Sequence, residues 1–198
     1  LIKTILGMTS IDAGTLTVLG TDPERAKAAV GAVLDANYLV PGWTIGQATR
    51  AVRPFYPNWD QDYAEQLLHQ FRLDPTALVK ELSSGEGRKI ALVLALSARP
   101  ELAVLDEPTS GLDPLTREEV MQVLRAYMAE QDCSILFSTH IPADLAGVAD
   151  QLLAVRDGRV AYAGEMDALT EAFFAVRGAS DELPLIRARL IGARSTLT

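Results

Sequence analysis

The fold is decided by residues 101–114, Glu-Leu-Ala-Val-Leu-Asp-Glu-Pro-Thr-Ser-Gly-Leu-Asp-Pro, an apolar run that ends in two carboxylates and a turn. Residues 102–105 predict a buried strand of a parallel sheet, and Asp106 falls where this strand leaves the sheet. Pro108 cannot continue the hydrogen bonding of a strand, and Gly111 permits a positive φ, so we expect a sharp turn after the acidic pair. Ligands of α/β proteins bind at this edge.

Two adjacent carboxylates at such an edge can divide the chemistry of phosphoryl transfer between them. Asp106 would hold Mg²⁺, directly or through water, and Glu107 would polarise a water molecule that attacks a phosphoryl group. The alternative is an acidic loop that is solvated after a strand. A bare Asp-Glu pair is too short a motif to exclude that alternative.

The longer string at 105–114, Leu-Asp-Glu-Pro-Thr-Ser-Gly-Leu-Asp-Pro, resembles the Walker B and D-loop segment of the ATP-binding cassette (ABC) ATPases. The resemblance implies that Asp106 binds Mg²⁺ and that Glu107 is the catalytic base. It also implies that residues 110–113 form a D-loop, through which Asp113 contacts a second subunit.

A second motif lies at 82–89, Leu-Ser-Ser-Gly-Glu-Gly-Arg-Lys, before an apolar helix predicted over 90–98. A serine-rich start with glycine gives a helix free N–H groups and a positive dipole end, which suits an anion or an ordinary cap. The motif resembles the ABC signature Leu-Ser-Gly-Gly-Gln, with Ser84 replacing a Gly and Glu86 replacing the Gln.

The signature resemblance implies contacts to the γ-phosphate that the opposite subunit holds, through four residues: Ser83, Ser84, Gly85 and Glu86. The Glu86 carboxylate suits the helix dipole but would then lie near phosphate charge. We therefore expect Arg88 and Lys89 to offset it.

Two more predicted strands bring polar residues to the same sheet edge. The strand at 30–34 ends at Asp35, where the ABC family carries a Gln that contacts Mg²⁺ and the attacking water. Asp35 can reach a metal, and the alternative is a plain turn residue.

The strand at 134–138 is followed by His140, which matches the family's switch histidine, a γ-phosphate contact that positions the water. A lone His is otherwise a polar surface residue.

Residues of about 44–98 resemble the helical subdomain of the ABC family. A helix over 44–53 starts at the cap residue Thr44, and an amphipathic helix is predicted over 60–71. The aromatic residues between and within these helices either seal a small core or, where exposed, seat a coupling helix of a transmembrane partner.

Weaker patterns cover the rest of the chain. We predict a helix over 1–7, a short strand over 15–19, a short helix over 22–29 capped by Asp22, a helix over 115–130, a hairpin of 151–156 and 159–164 around Asp157-Gly158, and a helix from 165 to 176.

No G-x-x-x-x-G-K-[ST] string occurs in the 198 residues. We therefore expect a chain truncated just after the phosphate loop, without the strands that precede that loop.

Composition narrows the classes of function. The chain has 198 residues, 48% of them hydrophobic, so it can bury a core, and its formal charge of −8 argues against binding to nucleic acid. The lone Cys133 lies in an apolar run and indicates a packing role in a reducing compartment. No apolar run approaches the roughly 18 residues of a membrane span.

We therefore predict an α/β fold of the P-loop NTPase (RecA-like) type, with a mostly parallel sheet and a helical insert. Residues 1–176 would form a partial ABC ATPase domain, with an unassigned tail over 177–198. The resemblance implies an ATP-binding and ATP-hydrolysing subunit of a bacterial ABC transporter, which uses ATP and Mg²⁺ and works by dimer closure. Its partners would be a transmembrane permease and a second ATPase subunit, at the cytoplasmic face of the cell membrane.

Two alternatives stay open. One is a soluble ABC ATPase outside transport, although such proteins usually carry tandem cassettes or basic extensions. The other is a non-catalytic ABC-like interaction module, which the substitutions at Asp35, Ser84 and Glu86 favour. The intact Glu107 and His140 count against that module.

Overall fold

The computed structural model describes residues 1–35 and 39–168. The chain divides into two compact units, Leu1–Ala146 and Gly147–Thr198. The first unit contains every residue predicted to belong to the site, and the second contains the predicted hairpin.

A three-stranded parallel sheet lies at the centre of the first unit. Its strands are β1 (Val30–Val33), β2 (Leu102–Asp106) and β3 (Ser134–Ser138), in the order β1-β2-β3. The middle strand is the most apolar, and its residues 103–105 are fully buried. The side chains of the last strand are only half-buried, apart from the exposed Ser134. The mostly parallel α/β fold predicted from the sequence is confirmed.

The register of the sheet aligns the carboxyl ends of the strands. Val33 is paired with Leu105, and Asp106 is paired with Ser138 on the neighbouring strand. Residues that follow the three strands therefore gather at one edge, as the strand pattern predicted. The close approach of a helix to β1 requires Gly31, because a Cβ there would lie 2.5 Å from the carbonyl oxygen of Ala95.

The helical insert consists of α3 (Ile45–Val52), α4 (Gln61–Gln70) and α5 (Ser84–Ser97), with short 3₁₀ turns at Arg53–Phe55 and Val79–Glu81. Thr44 caps α3 in a capping box with Gln47, as its position in the sequence predicted. Helix α4 buries four residues on its inner face: Tyr63, Ala64, Leu67 and Leu68. The insert's aromatic residues divide, since Tyr63 and Phe71 are buried while Phe55 is exposed.

Helix α5 starts earlier than the sequence predicted. We expected a helix over 90–98, but the first helical residue is Ser84 and the N-cap is Ser83. Glycine destabilises helix interiors, so the two glycines gave no indication of a helical turn here. Gly85 and Gly87 nevertheless lie at the start of α5, because the cap stabilises this part of the helix. Residues 92–97 are buried in succession, which is typical of a helix enclosed by its neighbours.

Helix α6 (Pro114–Glu130) follows the acidic loop and matches the helix predicted over 115–130. Asp113 caps it by accepting hydrogen bonds from the backbone N–H groups of Leu115 and Thr116, both at 3.1 Å. Proline at the first helical position needs no hydrogen bond there. The ring of Tyr127 on the inner face is buried against Tyr63, with ring centroids 5.8 Å apart.

The N-terminal segment contains α1 (Ile2–Ile5) and α2 (Pro23–Ala26), the second of which Asp22 caps through the N–H of Glu24. Ile2 and Ile5 pack against an apolar cluster around Val30 and Val104. The strand predicted over 15–19 is wrong. Only an isolated bridge between Val18 and Thr21 forms there, because Leu19 has a φ of 51° and turns the chain back at once.

The second unit contains the predicted hairpin, formed by β4 (Gln151–Arg156) and β5 (Arg159–Glu165). Asp157 and Gly158 both have positive φ, at 51° and 71°, as a tight two-residue turn requires. The helix predicted from 165 to 176 falls largely outside the described residues, and the 177–198 tail lies wholly outside them.

Candidate active site

Asp106 is the last residue of the central strand. Its Oδ1 accepts a hydrogen bond from the Ser138 hydroxyl at 2.5 Å, across the β2–β3 pair. The parallel register creates this contact because the two residues are direct partners. One carboxylate oxygen is thus held, and the half-buried carboxylate is fixed at the carboxyl edge of the sheet.

Glu107 begins the turn and has a φ of 49°, in the left-handed region that only a few per cent of residues other than glycine adopt. Its backbone N–H donates to the carbonyl oxygen of Ser138 at 3.0 Å, which continues the sheet by one bond. Its Oε2 lies 2.8 Å from Nδ1 of His140. The structure therefore joins the two residues that the sequence predicted as catalytic.

His140 contributes a solvent-facing ring to this pair. Its side chain is 69% exposed, whereas that of Glu107 is 26% exposed. The Nδ1 contact is a hydrogen bond in which the neutral ring donates when its proton is on Nδ1. Nε2 is then an acceptor in the neutral ring and a donor in the imidazolium.

Asp35 follows β1 at the same edge and is exposed. Its backbone is held by Arg88 of α5, whose guanidinium donates to the carbonyl oxygens of Leu34 at 2.7 Å and of Asp35 at 3.4 Å. The N-terminal part of α5 is thus tied to the end of β1. This contact involves the backbone of Asp35 and leaves its carboxylate unengaged by Arg88.

The Glu86 carboxylate folds back onto the helix cap. Its Oε2 accepts hydrogen bonds from the hydroxyl and the N–H of Ser83, at 2.7 and 2.9 Å, in a capping box. The Ser83 hydroxyl, followed by the Ser83 N–H, holds the pKa of Glu86 below its usual value. The Ser-x-x-Glu spacing is the sequence signature of this cap.

The expectation that Arg88 and Lys89 offset the Glu86 charge is confirmed only for Lys89, whose positive charge lowers the pKa of Glu86 less than the Ser83 hydrogen bonds do. Arg88 binds carbonyl oxygens at the end of β1, and Lys89 forms a 2.7 Å ion pair with Glu119 of α6. The capping hydrogen bonds from Ser83 are the main stabilisation of the Glu86 charge.

Gly85 lies close to the residues on either side of Asp113 in the chain's own fold. Gly85 faces Leu112 and Thr116, and a Cβ at that position would meet their methyl groups at 3.6 and 3.8 Å, an ordinary contact distance. The Asp113 carboxylate is occupied by the cap of α6. The signature segment and the D-loop segment are therefore neighbours within one chain.

The carboxylates at this edge suit a hard cation. Asp106 and the exposed Asp35 follow neighbouring strands, and oxygen is the donor that Mg²⁺ prefers. In residues 1–35 and 39–168 no group of three or more His, Cys, Asp or Glu residues could hold a metal. This donor set fits Mg²⁺ that is bound through one or two carboxylates, with the phosphates of a nucleotide and water supplying the rest.

Comparisons with known proteins place this geometry in a family. Residues 27–145 match a family model described as "AAA domain, putative AbiEii toxin, Type IV TA system". The matched residues run from before β1 to beyond His140, so they span every candidate site residue.

Two curated relatives are ATP-binding proteins of transport systems. The ABC transporter ATP-binding protein YtrB of Bacillus subtilis is 33% identical over 139 residues, which are 70% of this chain and 48% of that protein. The Nod factor export ATP-binding protein I of Mesorhizobium japonicum is 36% identical over 186 residues, 85% of this chain and 52% of that protein. The chain spans about half the length of the curated relatives it matches.

A solved structure titled "Structure of ATP binding subunit of ABC transporter" superimposes with a TM-score of 0.77 at 28% identity. The match covers 93% of this chain and 80% of that one. The chain belongs to the AAA-domain family whose model matches residues 27–145. The resemblance to ABC ATP-binding proteins that was found in the sequence is confirmed.

Three contacts at this candidate site were not predicted from the sequence. Ser138 holds Asp106, and Thr109 donates to Asp144 at 2.5 Å while Arg117 donates to the same carboxylate. The register of two adjacent strands could have suggested the first contact. No spacing rule pairs a Thr with an Asp that is 35 positions away.

None of the helices formed by the described residues is long and apolar enough to cross a membrane.

Proposed function

We propose that this chain forms the catalytic part of an ABC transporter subunit that binds and hydrolyses ATP. The observation that carries the proposal is the 2.8 Å contact between Glu107 Oε2 and His140 Nδ1, one residue beyond Asp106 at the carboxyl edge of a parallel sheet. A general base for a water molecule needs a carboxylate that is fixed in orientation and reachable from solvent. Glu107 meets both conditions.

In this proposal Asp106 and Asp35, which lie at the ends of neighbouring strands, would hold Mg²⁺. When bound, the ion would neutralise charge on the phosphates of ATP. Glu107 accepts the proton of the attacking water. His140 orients the Glu107 carboxylate through Nδ1, and the protonated ring can donate from Nε2 to a γ-phosphate oxygen.

A second copy or a related subunit completes the site. Ser83, Ser84 and Gly85 start a 14-residue helix, whose first N–H groups suit the γ-phosphate of the opposite subunit. Glu86 contributes through its cap, which orders that start, and Asp113 contributes from the D-loop. We propose that the two subunits close on two Mg²⁺-ATP molecules and reopen after hydrolysis.

The proposed membrane partner is a permease. The exposed aromatic residues Phe55 of the helical insert and Trp43 just before the insert provide an apolar contact for it. The relatives' names support a transport role, since they describe an ABC transporter protein and a Nod factor export protein. We place this chain at the cytoplasmic face of the cell membrane through that permease.

Phosphate release from ATP by the gene product that carries these residues tests the proposal. We expect hydrolysis that requires Mg²⁺, that is lost in Asp106→Asn and that persists in the matched control Asp12→Asn, whose site is an exposed loop. Binding of ATP without hydrolysis would favour the non-catalytic module. Hydrolysis by a protein that never co-purifies with a permease from membranes would favour a soluble ABC ATPase.

A further inference from the structure

Asp144 is a buried carboxylate that is not one of the proposed catalytic residues. It is 4% exposed, and it accepts a hydrogen bond from the Thr109 hydroxyl at 2.5 Å. Its other oxygen, Oδ1, accepts from Nε of Arg117 at 2.6 Å and also forms an ion pair with Nη2 of that residue. Thr109 is itself 1% exposed. Both oxygens of a buried charge are thus satisfied by directional donors.

This network joins the same two chain segments that carry the Glu107–His140 pair. Thr109 lies two residues after Glu107, and Asp144 lies four residues after His140. The loop after β2 and the loop after β3 are therefore linked twice, once at the solvent-facing pair and once in the interior. Arg117 adds a third segment, because it comes from the second turn of α6.

The segment between His140 and Asp144 is short and locally ordered. The Ile141 N–H donates to the Thr139 hydroxyl at 2.9 Å, and Pro142–Asp144 forms a 3₁₀ turn in which the Asp144 N–H donates to the Ile141 carbonyl oxygen. A displacement of Asp144 is therefore passed to the His140 backbone.

We propose that Asp144 is a positioning residue that holds His140 against Glu107, with Thr109 and Arg117 as its anchors. The proposal rests on the proposed function for its effect on hydrolysis, but the geometric part stands on the contacts alone. Burying an ion pair contributes little net stability compared with an apolar replacement, whereas its directional hydrogen bonds fix a geometry. His140 is mostly exposed, so few packing contacts are available to orient it.

A matched pair of substitutions tests this. Thr109→Val keeps the shape of the side chain and removes the hydroxyl, and Thr109→Ser keeps the hydroxyl. The first readout is the ¹⁵N resonance of His140 Nδ1 in the 198-residue chain. We expect Thr109→Val and Asp144→Asn to shift this resonance toward that of the unpaired ring in Glu107→Ala, and Thr109→Ser to retain the parent value.

The second readout is steady-state hydrolysis by the gene product. Misplacement of a reacting group by about 1 Å costs up to roughly a hundredfold in rate, and a partial displacement here should cost about tenfold. We expect this loss in kcat for Thr109→Val, with KM for ATP within about twofold of the parent on the same argument. Thr109→Ser should restore kcat. Arg125→Gln, which removes an exposed ion pair with Glu118 on the same helix, is the control and should change neither readout.

The outcomes separate the two proposals. An unchanged His140 resonance in a folded Thr109→Val chain would overturn the positioning role, whatever the kinetics. If the parent gene product hydrolyses no ATP, the proposed function fails, while the resonance still decides the positioning role. If Asp144→Asn does not fold, the Thr109 pair decides alone.

Discussion

Glu107 combines a proposed chemical role with an unusual backbone. A left-handed conformation costs a residue other than glycine about 1–2 kcal/mol, a cost that glycine avoids. Glycine loses roughly 0.5–1 kcal/mol of this advantage, because its unfolded state has more conformational entropy. Glu107 adopts this costly conformation in the turn that directs its carboxylate toward His140. Such strain is found most often at functional sites.

We expect Glu107→Gln to abolish ATP hydrolysis by the gene product and to retain nucleotide binding, because it removes the base and leaves Asp106. Phosphate release and ATP-dependent dimerisation by light scattering measure the two effects. Glu107→Gly is the companion variant, which should also lose hydrolysis while its free energy of unfolding stays equal to the parent's or rises by about 1 kcal/mol. Normal hydrolysis with Gln at 107 would mean that the base lies elsewhere.

Asp60 should make the stability of the first unit depend on pH. The N–H of Tyr63 and the guanidinium of Arg99 lower the pKa of Asp60 from its ordinary 3.8. A lowered folded-state pKa gives stability that is complete above pH 3.8 and is lost as pH falls through the folded-state pKa. Asp60→Asn should therefore cost about 1 kcal/mol at pH 7, given that the ion pair is partly exposed.

Urea denaturation at pH 7 and at pH 3 measures this effect. The difference between the parent and Asp60→Asn should shrink at the lower pH, since below pH 3.8 this carboxylate binds a proton more readily in the unfolded state than in the folded state. Asp12→Asn, in an exposed loop, should show no such trend. A deficit in Asp60→Asn that is equal at both pH values would contradict the assignment.

At the level of elements, the packing of α5 on β1 depends on the absence of a side chain at Gly31. A Cβ there would lie 2.5 Å from a backbone oxygen of α5 and 3.0 Å from Pro100, and the backbone cannot yield without moving the helix. The same helix carries the signature segment at its start. The spacing between sheet and helix therefore influences where that segment lies.

Gly31→Ala should lower the free energy of unfolding by about 1–3 kcal/mol, the usual cost of overpacking a core. Thermal denaturation followed by circular dichroism measures it. Gly42→Ala is the control, because a Cβ at Gly42 meets no atom within 4 Å. Equal melting temperatures for the two variants would show that α5 can shift away from β1 at little cost.

The sequence predicted those elements whose pattern is set by burial or by a turn. β3 and the Asp157-Gly158 turn match their predictions because an apolar run or a positive φ is visible in the residues themselves. The strand over 15–19 failed because alternating residues satisfied the strand pattern while Leu19 adopted a turn conformation. The Thr109–Asp144 contact depends on tertiary placement, which no local pattern encodes.

At the scale of the whole molecule, Gly85 distinguishes the lone chain from the proposed dimer. Within one chain a Cβ at Gly85 meets only methyl groups at ordinary contact distance, so the fold does not require glycine there. A nucleotide held by an opposite subunit would approach the start of α5, where a small residue allows the backbone to come close.

We expect Gly85→Ala to keep the melting temperature of the chain within a few degrees, because the added Cβ fits at ordinary contact distance and alanine has a higher helix propensity than glycine. The same variant should lose ATP-driven dimerisation and hydrolysis in the gene product. Gly87→Ala, at a buried position in the same turn, is a comparison that tests the chain's own packing. If Gly85→Ala hydrolyses ATP normally, the signature segment does not contact nucleotide through Gly85.

The double link between the loops after β2 and β3 has a consequence for chain entropy. Closing a loop of this size costs free energy that grows only with the logarithm of its length, and the pairing of β2 with β3 has already met most of that cost. Each later hydrogen bond between these loops orders only its own side chains. Thr109→Val should therefore remove the Thr109–Asp144 hydrogen bond without separating β2 from β3. The orientation of His140 can then be lost while the sheet remains intact.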